Sequence, residues 1–109
     1  MDTISFEDFK KVEIRIGKIT ACEKIVDADK LLKLQVDFGE FGQRQIVSGI
    51  AETYTPEELV GKSLPFVINL EYRRLRGEES QGMLMATGVE GKVILLEPSG
   101  EVPPGTEVV

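Results

Sequence analysis

Residues 69–86 read Asn-Leu-Glu-Tyr-Arg-Arg-Leu-Arg-Gly-Glu-Glu-Ser-Gln-Gly-Met-Leu-Met-Ala. Arg73, Arg74 and Arg76 crowd together, and Gly77 follows at once. A Ser-x-Gly-Met turn (Ser80 to Met83) then leads into an apolar strand. The chemistry open to such a segment is anion recognition, because a guanidinium presents planar, paired donors that match phosphate oxygens. The formal net charge of the chain is -6, so this cationic loop stands against the composition around it. The plainer alternative is a solvated loop whose arginines pair with Glu71, Glu78 and Glu79. Exposed pairs of that kind contribute only ~0–1 kcal/mol, so folding alone gives little reason for the cluster.

Other chemistries find few residues. The chain has no His, which removes the commonest general base and the commonest metal ligand together. With the single Cys22 and no His, a zinc site is not expected, and Cys22 reads as a small, partly buried strand residue. One cysteine makes no internal disulfide, which fits a reducing compartment. No phosphate-cradling glycine loop or nucleophile elbow is present. Asp27 with Asp29, and Glu57 with Glu58, read as turn and helix-start residues rather than acid/base pairs. The expectation is therefore no enzyme, no metal and no cofactor.

Charge is distributed unevenly. Residues 10–33 hold seven Lys or Arg against four acids, and residues 90–109 hold one against four. Arg15 and Lys33 fall out of phase with their apolar neighbours and should point away from the core. If the arginine loop folds beside them, one face becomes basic and could steer a polyanion. Aromatic platforms for stacked bases are scarce: there is no Trp, and aromatic residues make up 6%. Phe38 and Phe66 belong to apolar strands, leaving Phe41 and Tyr72. An RNA ligand would then be held by phosphates, sugars and shape more than by splayed bases. Ser80 reads equally as a turn residue or as a donor to phosphate. Met83, Leu84 and Met85 read as core, with a partly exposed Met83 open because Gly82 allows close backbone approach.

These residues need a scaffold, and at 109 residues it is one domain, 1–109. Ser5 can cap a short helix carrying Phe6 and Phe9. Val12, Ile14 and Ile16 alternate with Glu13, Arg15 and Gly17, predicting a strand with a β-bulge at Gly17-Lys18 where Ile19 falls out of phase. Leu32, Leu34, Val36 and Phe38 alternate in a second strand; 43–50 is a third. Thr55-Pro-Glu-Glu58 starts a helix that Gly61 ends. Strands follow over 64–70, 83–87 and 92–96, and then a Pro- and Gly-rich tail. The order predicts an all-β fold with one or two short helices: an OB-fold, a five-stranded antiparallel barrel with its helix between strands three and four, plus a C-terminal extension. An SH3-like barrel is the alternative. No segment approaches the ~20 apolar residues of a membrane span, and no secretory signal is evident, so the expected location is cytoplasmic.

Four blocks carry a resemblance over nearly the whole length: Phe9 to Ile19, Ala28 to Gly39, Val47 to Ala51 with Tyr54 to Lys62, and Asn69 to Ala86. The chain resembles the tRNA-binding domain family. Its members are OB-fold domains appended to methionyl-tRNA synthetases, free-standing structure-specific tRNA-binding proteins, and the endothelial monocyte-activating polypeptide domain. The resemblance implies binding to the outer corner of folded tRNA with little sequence preference, usually as a homodimer, with catalysis left to the synthetase. It implies that Asn69, Arg73, Arg74, Arg76, Ser80 and Met83 contact tRNA or shape that site, and that Lys30 and Lys33 add basic positions. Tyr72 departs from the family pattern, which has proline there. The chain could act as an appended domain, as a separate subunit beside the synthetase catalytic chain, or free-standing; neither DNA nor membrane is an expected partner. The runner-up is a small dimeric export chaperone of the same fold, which binds unfolded polypeptide and generally lacks the Ala-Asp-Lys-Leu block and the basic Ser-x-Gly-Met signature.

Overall fold

The structure, a computed structural model, describes all 109 residues. Alternating apolar residues build most of it. Strand β1 (Ile14–Ile25), β2 (Ala28–Asp37) and β3 (Gln43–Ser48) form a meander. Helix α2 (Pro56–Leu59) follows β3, as the OB topology requires, and precedes β4 (Ser63–Val67). Next come β5 (Arg73–Leu75), β6 (Glu78–Ser80), β7 (Met83–Leu84), β8 (Ala86–Val89) and β9 (Lys92–Leu95). The main sheet is five-stranded and antiparallel, ordered β3-β2-β1-β4-β7. β5-β6 and β8-β9 are separate hairpins. A helix α1 (Phe6–Phe9) precedes the sheet, with Ser5 Oγ accepting from the Asp8 N–H as its cap. The fold is the OB-type barrel the strand order predicts, with the hairpins and tail as additions.

The inward set is Ile19, Leu32, Leu34, Val36, Phe38, Ile46, Leu59, Leu64 and Phe66, all fully buried. Phe38 and Phe66 meet edge to face, ring centres 5.5 Å apart. Leu59 is the one buried residue of α2, so this short helix acts as a plug beside β1. Its cap is the Glu58 carboxylate, which accepts from the Thr55 N–H and from Thr55 Oγ1. Those two bonds hold the Glu58 carboxyl below its usual pKa. Because the folded value is lowered, the cap is complete above the ordinary carboxylate range and is lost as acid protonates Glu58.

Four sequence expectations are corrected. Val12 lies before β1 and is exposed. The bulge sits at Thr20 instead of Gly17-Lys18: β1 pairs with β4 in unbroken register from Ile14 to Lys18, and the shift against β2 comes between Ile19 and Ala21. Gly17 matters for a different reason. A Cβ there would lie 2.4 Å from Val36 Cγ1 and 2.5 Å from the Phe38 ring, so the glycine lets β1 fold over β2. The predicted strand 83–87 is divided, Met83–Leu84 joining β4 and Ala86–Val89 starting the β8-β9 hairpin. Pro65 explains the division: its carbonyl accepts from the Met85 N–H, but it has no N–H with which to extend the ladder. Finally, β4 ends at Val67 instead of residue 70.

The Pro-rich tail is tied down. The Ile16 N–H donates to Thr106 O, and Gly105 and Val108 donate to Ile16 O and Ile14 O. These bonds cover the edge of β1 that β2 does not reach. Arg15, expected on a free basic face, is bound into this arrangement. It donates to Glu13 Oε1 and Gly105 O, and its guanidinium lies 4.0 Å from the Phe41 ring centre. Phe41 is thereby packed with Arg15 and Gly105 of the tail.

Gly17→Ala should lower the unfolding free energy by about 1–3 kcal/mol, the usual cost of overpacking; urea unfolding that shows no loss would contradict the close approach. Cys22, on β1 and half-buried, has its thiol pushed up to about 11 by burial and by the charges of Glu57 and Glu23. At pH 8 only about 0.1% would be thiolate, so alkylation in the folded chain should be slow and should speed up sharply in urea.

Candidate nucleic-acid interface

The arginine cluster is a hairpin, not a loop. Arg73 pairs with Ser80, Arg74 with Glu79, and Leu75 with Glu78. Arg76 and Gly77 make the two-residue turn, both with positive φ (52° and 82°). That is the primed turn whose twist suits a tight hairpin, and Gly77 supplies the left-handed position without strain. The turn puts Arg76 at the tip.

None of the three arginines has a carboxylate partner. The ion pairs of the chain are Lys11–Asp8, Arg15–Glu13, Lys33–Glu23, Lys33–Glu78 and Lys62–Glu97. The pairing of the cluster with Glu71, Glu78 and Glu79 therefore does not form. Glu78 is occupied by Lys33, and the Glu79 carboxylate accepts from Gln81 Nε2. Arg74 donates to Gly77 O across the turn. Arg73 and Arg76 are exposed and make no polar contact, so their donors remain available.

The hairpin is fixed to the barrel along the free edge of β3. Gln81 N–H donates to Gln45 O, and the Gln45 N–H donates back to Gln81 Oε1. Gln45 Nε2 reaches Glu79 O, and Gln35 Nε2 donates to Gln45 Oε1. Ser80 is buried; its hydroxyl accepts from the Val47 N–H at 2.9 Å and donates to Gly82 O at 3.1 Å. The Ser80 hydroxyl is thus used within the fold, joining the end of β6 to β3.

Asn69 is a clamp at the end of β4. Its side chain accepts from the Glu13 N–H at 2.8 Å and donates to Lys11 O, which fixes where the chain leaves the barrel toward the hairpin. Lys33 bridges three strands, with Nζ 2.9 Å from Glu23 and 3.2 Å from Glu78. These bonds raise its pKa, Glu23 contributing most. Because the folded value is raised, the bridge is fully present below the ordinary lysine pKa and is lost only as pH climbs through the raised value. Lys33 thus orients β6 and is not a free cation; it lies by the hairpin while Arg15 is held by the tail, so the single basic face drawn from both does not form. Lys30 is exposed, with no ion-pair partner, near the start of β2.

Between the hairpin and the barrel lies a groove of about 290 Å³. Leu31, Leu75, Met83 and Leu84 supply apolar lining, and Arg73 lies on its wall. Met83 is 46% exposed, so it is the exposed member of its strand. Gly82 packs closely, a Cβ there meeting Ile46 Cδ1 and Val67 O at 3.0 Å.

Arg44 escaped the sequence reading. It sits on β3 and donates to Ile68 O and Gln81 O, joining the end of β4 to the base of the hairpin. Its guanidinium lies 6.0 Å from the Tyr72 ring centre. No periodicity signals such a residue, because its partners are backbone carbonyls remote in sequence.

Ser80→Ala should destabilise the chain by about 1–3 kcal/mol, since it strands the buried Val47 N–H. Amide exchange at Val47 should accelerate more than at Leu34; equal protection at both would remove the brace.

The comparisons agree with this geometry. The family model described as "Putative tRNA binding domain" matches residues 14–107. A methionine--tRNA ligase of Archaeoglobus fulgidus is 51% identical over 107 residues, 98% of this chain and 16% of the ligase. The chain thus spans about a sixth of the length of such curated relatives. A solved MetRS related protein from Pyrococcus horikoshii is 44% identical with a TM-score of 0.94, covering 100% of both chains. The chaperone CsaA of Bacillus anthracis is 33% identical with a TM-score of 0.91, covering 99% of this chain and 100% of the chaperone. With its matched span running from the start of β1 through the arginine hairpin to the tail, the chain belongs to the tRNA-binding domain family.

Proposed function

We propose that this domain holds folded tRNA by its sugar-phosphate backbone and raises its concentration near a methionyl-tRNA synthetase catalytic chain, whether as an appended domain, a subunit or a free-standing protein. The observation that carries the reading is the set of exposed arginines with no acid partner on a hairpin fixed to the barrel. Arg73, Arg74, Arg76 and Lys30 contact phosphates. Asn69, Ser80 and Lys33 hold the strands that present them. Met83 and the groove wall shape the surface against the RNA. The domain is not an enzyme in this reading; ligation belongs to the rest of the synthetase, which such relatives carry in the other five-sixths of their length. It works in the cytoplasm, and no helix is long and apolar enough to cross a membrane.

The domain acts as a homodimer. Ile4, Phe6, Phe9 and Val12 at one end of the chain and Val108 and Val109 at the other are exposed. A second copy would remove this apolar surface from water. Sedimentation should show a dimer at micromolar concentration; a monomer would overturn the assignment.

A second reading is supported by the likeness to CsaA and by the half-apolar groove beside Met83: a chaperone that holds unfolded polypeptide. Unfractionated tRNA should bind with a steep salt dependence, and folded tRNA should compete where single-stranded RNA of equal length and an unfolded protein do not. Competition mainly by unfolded protein would move the assignment to the chaperone. Arg73→Ala and Arg76→Ala should each weaken all tRNAs alike and flatten the salt slope by about 0.7–0.9, the share of one phosphate contact. Loss confined to one tRNA species would defeat the backbone reading.

A further inference from the structure

The sequence offers two aromatic residues as platforms for a base, and the structure leaves one. Phe41 packs at 4.0 Å with Arg15, whose charge Glu13 already pairs, and against Gly105 of the tail. Tyr72 is 52% exposed, immediately before the arginine hairpin. It does not line the groove, although Glu71 and Arg73 on either side of it do. It lies instead toward Arg44, whose guanidinium is 6.0 Å from the ring centre and is anchored by the carbonyls of Ile68 and Gln81.

An aromatic ring in this setting has a definite use. Folding does not require it to be half in water, and a Tyr ring left there exposes apolar area at a cost. A guanidinium anchored behind the ring limits its motion. The arginines that follow, Arg73, Arg74 and Arg76, have no carboxylate partner. An aromatic face beside free cations matches a nucleotide, with the base on the ring and its phosphate on an arginine. An apolar peptide would match the ring but not the charges, and an inorganic anion would match the charges but not the ring.

We infer that Tyr72 is a stacking platform for one unpaired nucleobase of the bound RNA, so that the domain reads an exposed base in addition to the backbone. This rests on the RNA-binding reading above and adds a contact that salt does not screen.

The test separates the two. Folded tRNA is titrated against the native chain, Tyr72→Ala and Tyr72→Phe at several salt concentrations. Stacking on one base accounts for about 1–3 kcal/mol, so Tyr72→Ala should weaken binding about 5- to 150-fold at every salt concentration. The salt slope should not change, and Tyr72→Phe should bind within about twofold of the native chain. Three results overturn the inference while leaving the RNA-binding reading intact: native affinity in Tyr72→Ala, a flattened slope in Tyr72→Ala (which makes the ring a positioner of the arginines), or loss in Tyr72→Phe equal to that in Tyr72→Ala. A native chain that binds no tRNA overturns both. A direct readout leaves Tyr72 itself unchanged. The chain has two Tyr and no Trp, so a Tyr54→Phe chain fluoresces from Tyr72 alone. A saturating RNA hairpin with an unpaired loop should quench it; the same hairpin with abasic loop positions should not. Equal quenching by both, or none by either, overturns the platform.

Discussion

The outer edge of β3 is the constraint on which the functional surface depends. Its inner edge pairs with β2 from Leu32–Ser48 to Asp37–Gln43, but its outer N–H and C=O groups need partners too, because a buried backbone donor left unpaired costs as much as a lost hydrogen bond. No regular strand lies there. The need is met instead by Ser80 and Gln81, whose side chains accept from Val47 and Gln45 while the Gln81 N–H returns a bond to Gln45 O. Two consecutive residues thereby imitate a strand. These bonds cover the outer edge of β3 and also fix the base of the arginine hairpin. The bonds that cover the β3 edge and the bonds that present the cations are the same ones.

The same arrangement explains how an acidic chain offers a cationic surface. Net charge sums over the whole molecule, whereas a phosphate responds to charges within about one Debye length, ~8 Å at physiological salt. Of the acids around the arginines, Glu78 is paired with Lys33; Glu79 hydrogen-bonds Gln81 and keeps its charge, and Glu71 is exposed without an ion-pair partner. Lys33 therefore serves the site by withdrawing an acid from it. The value of -6 bears on solubility and long-range steering more than on local contact.

The features legible in the sequence were those with a local code. Alternation located β2, whose inward set Leu32, Leu34, Val36 and Phe38 is fully buried. The Thr-Pro-Glu-Glu run located α2, and its place between β3 and β4 selected the OB topology. What stayed hidden depends on residues far apart in the chain. The role of Gly17 is set by Val36 and Phe38, and that of Arg44 by Ile68 and Gln81. Arg15 and Lys33 were legible as outward-facing, but nothing near them in sequence shows that Gly105 and Glu78 take up their charge. The hairpin was not legible: the segment reads as a cationic loop with its turn at Ser80 to Met83, whereas the tight turn at Arg76-Gly77 depends on Arg76 adopting φ 52°, which few non-glycine residues do.

The proposed RNA reading and its chaperone rival share one fold, since this barrel superposes on both a MetRS related protein and a CsaA chaperone at TM-scores above 0.9. Shape therefore does not choose between them; local chemistry does. A groove for unfolded chains needs apolar area that accepts many side chains, and the lining here is divided between apolar residues and polar or charged ones such as Glu71, Arg73 and Ser80. Guanidinium groups give little to a generic apolar segment and lose hydration in meeting it, whereas a phosphate repays that desolvation with paired, charge-assisted hydrogen bonds. Arg73 and Arg76, exposed and without a partner at the mouth and tip of the hairpin, are in the state that favours the phosphate. The balance of chemistry on this face tilts the shared barrel toward RNA.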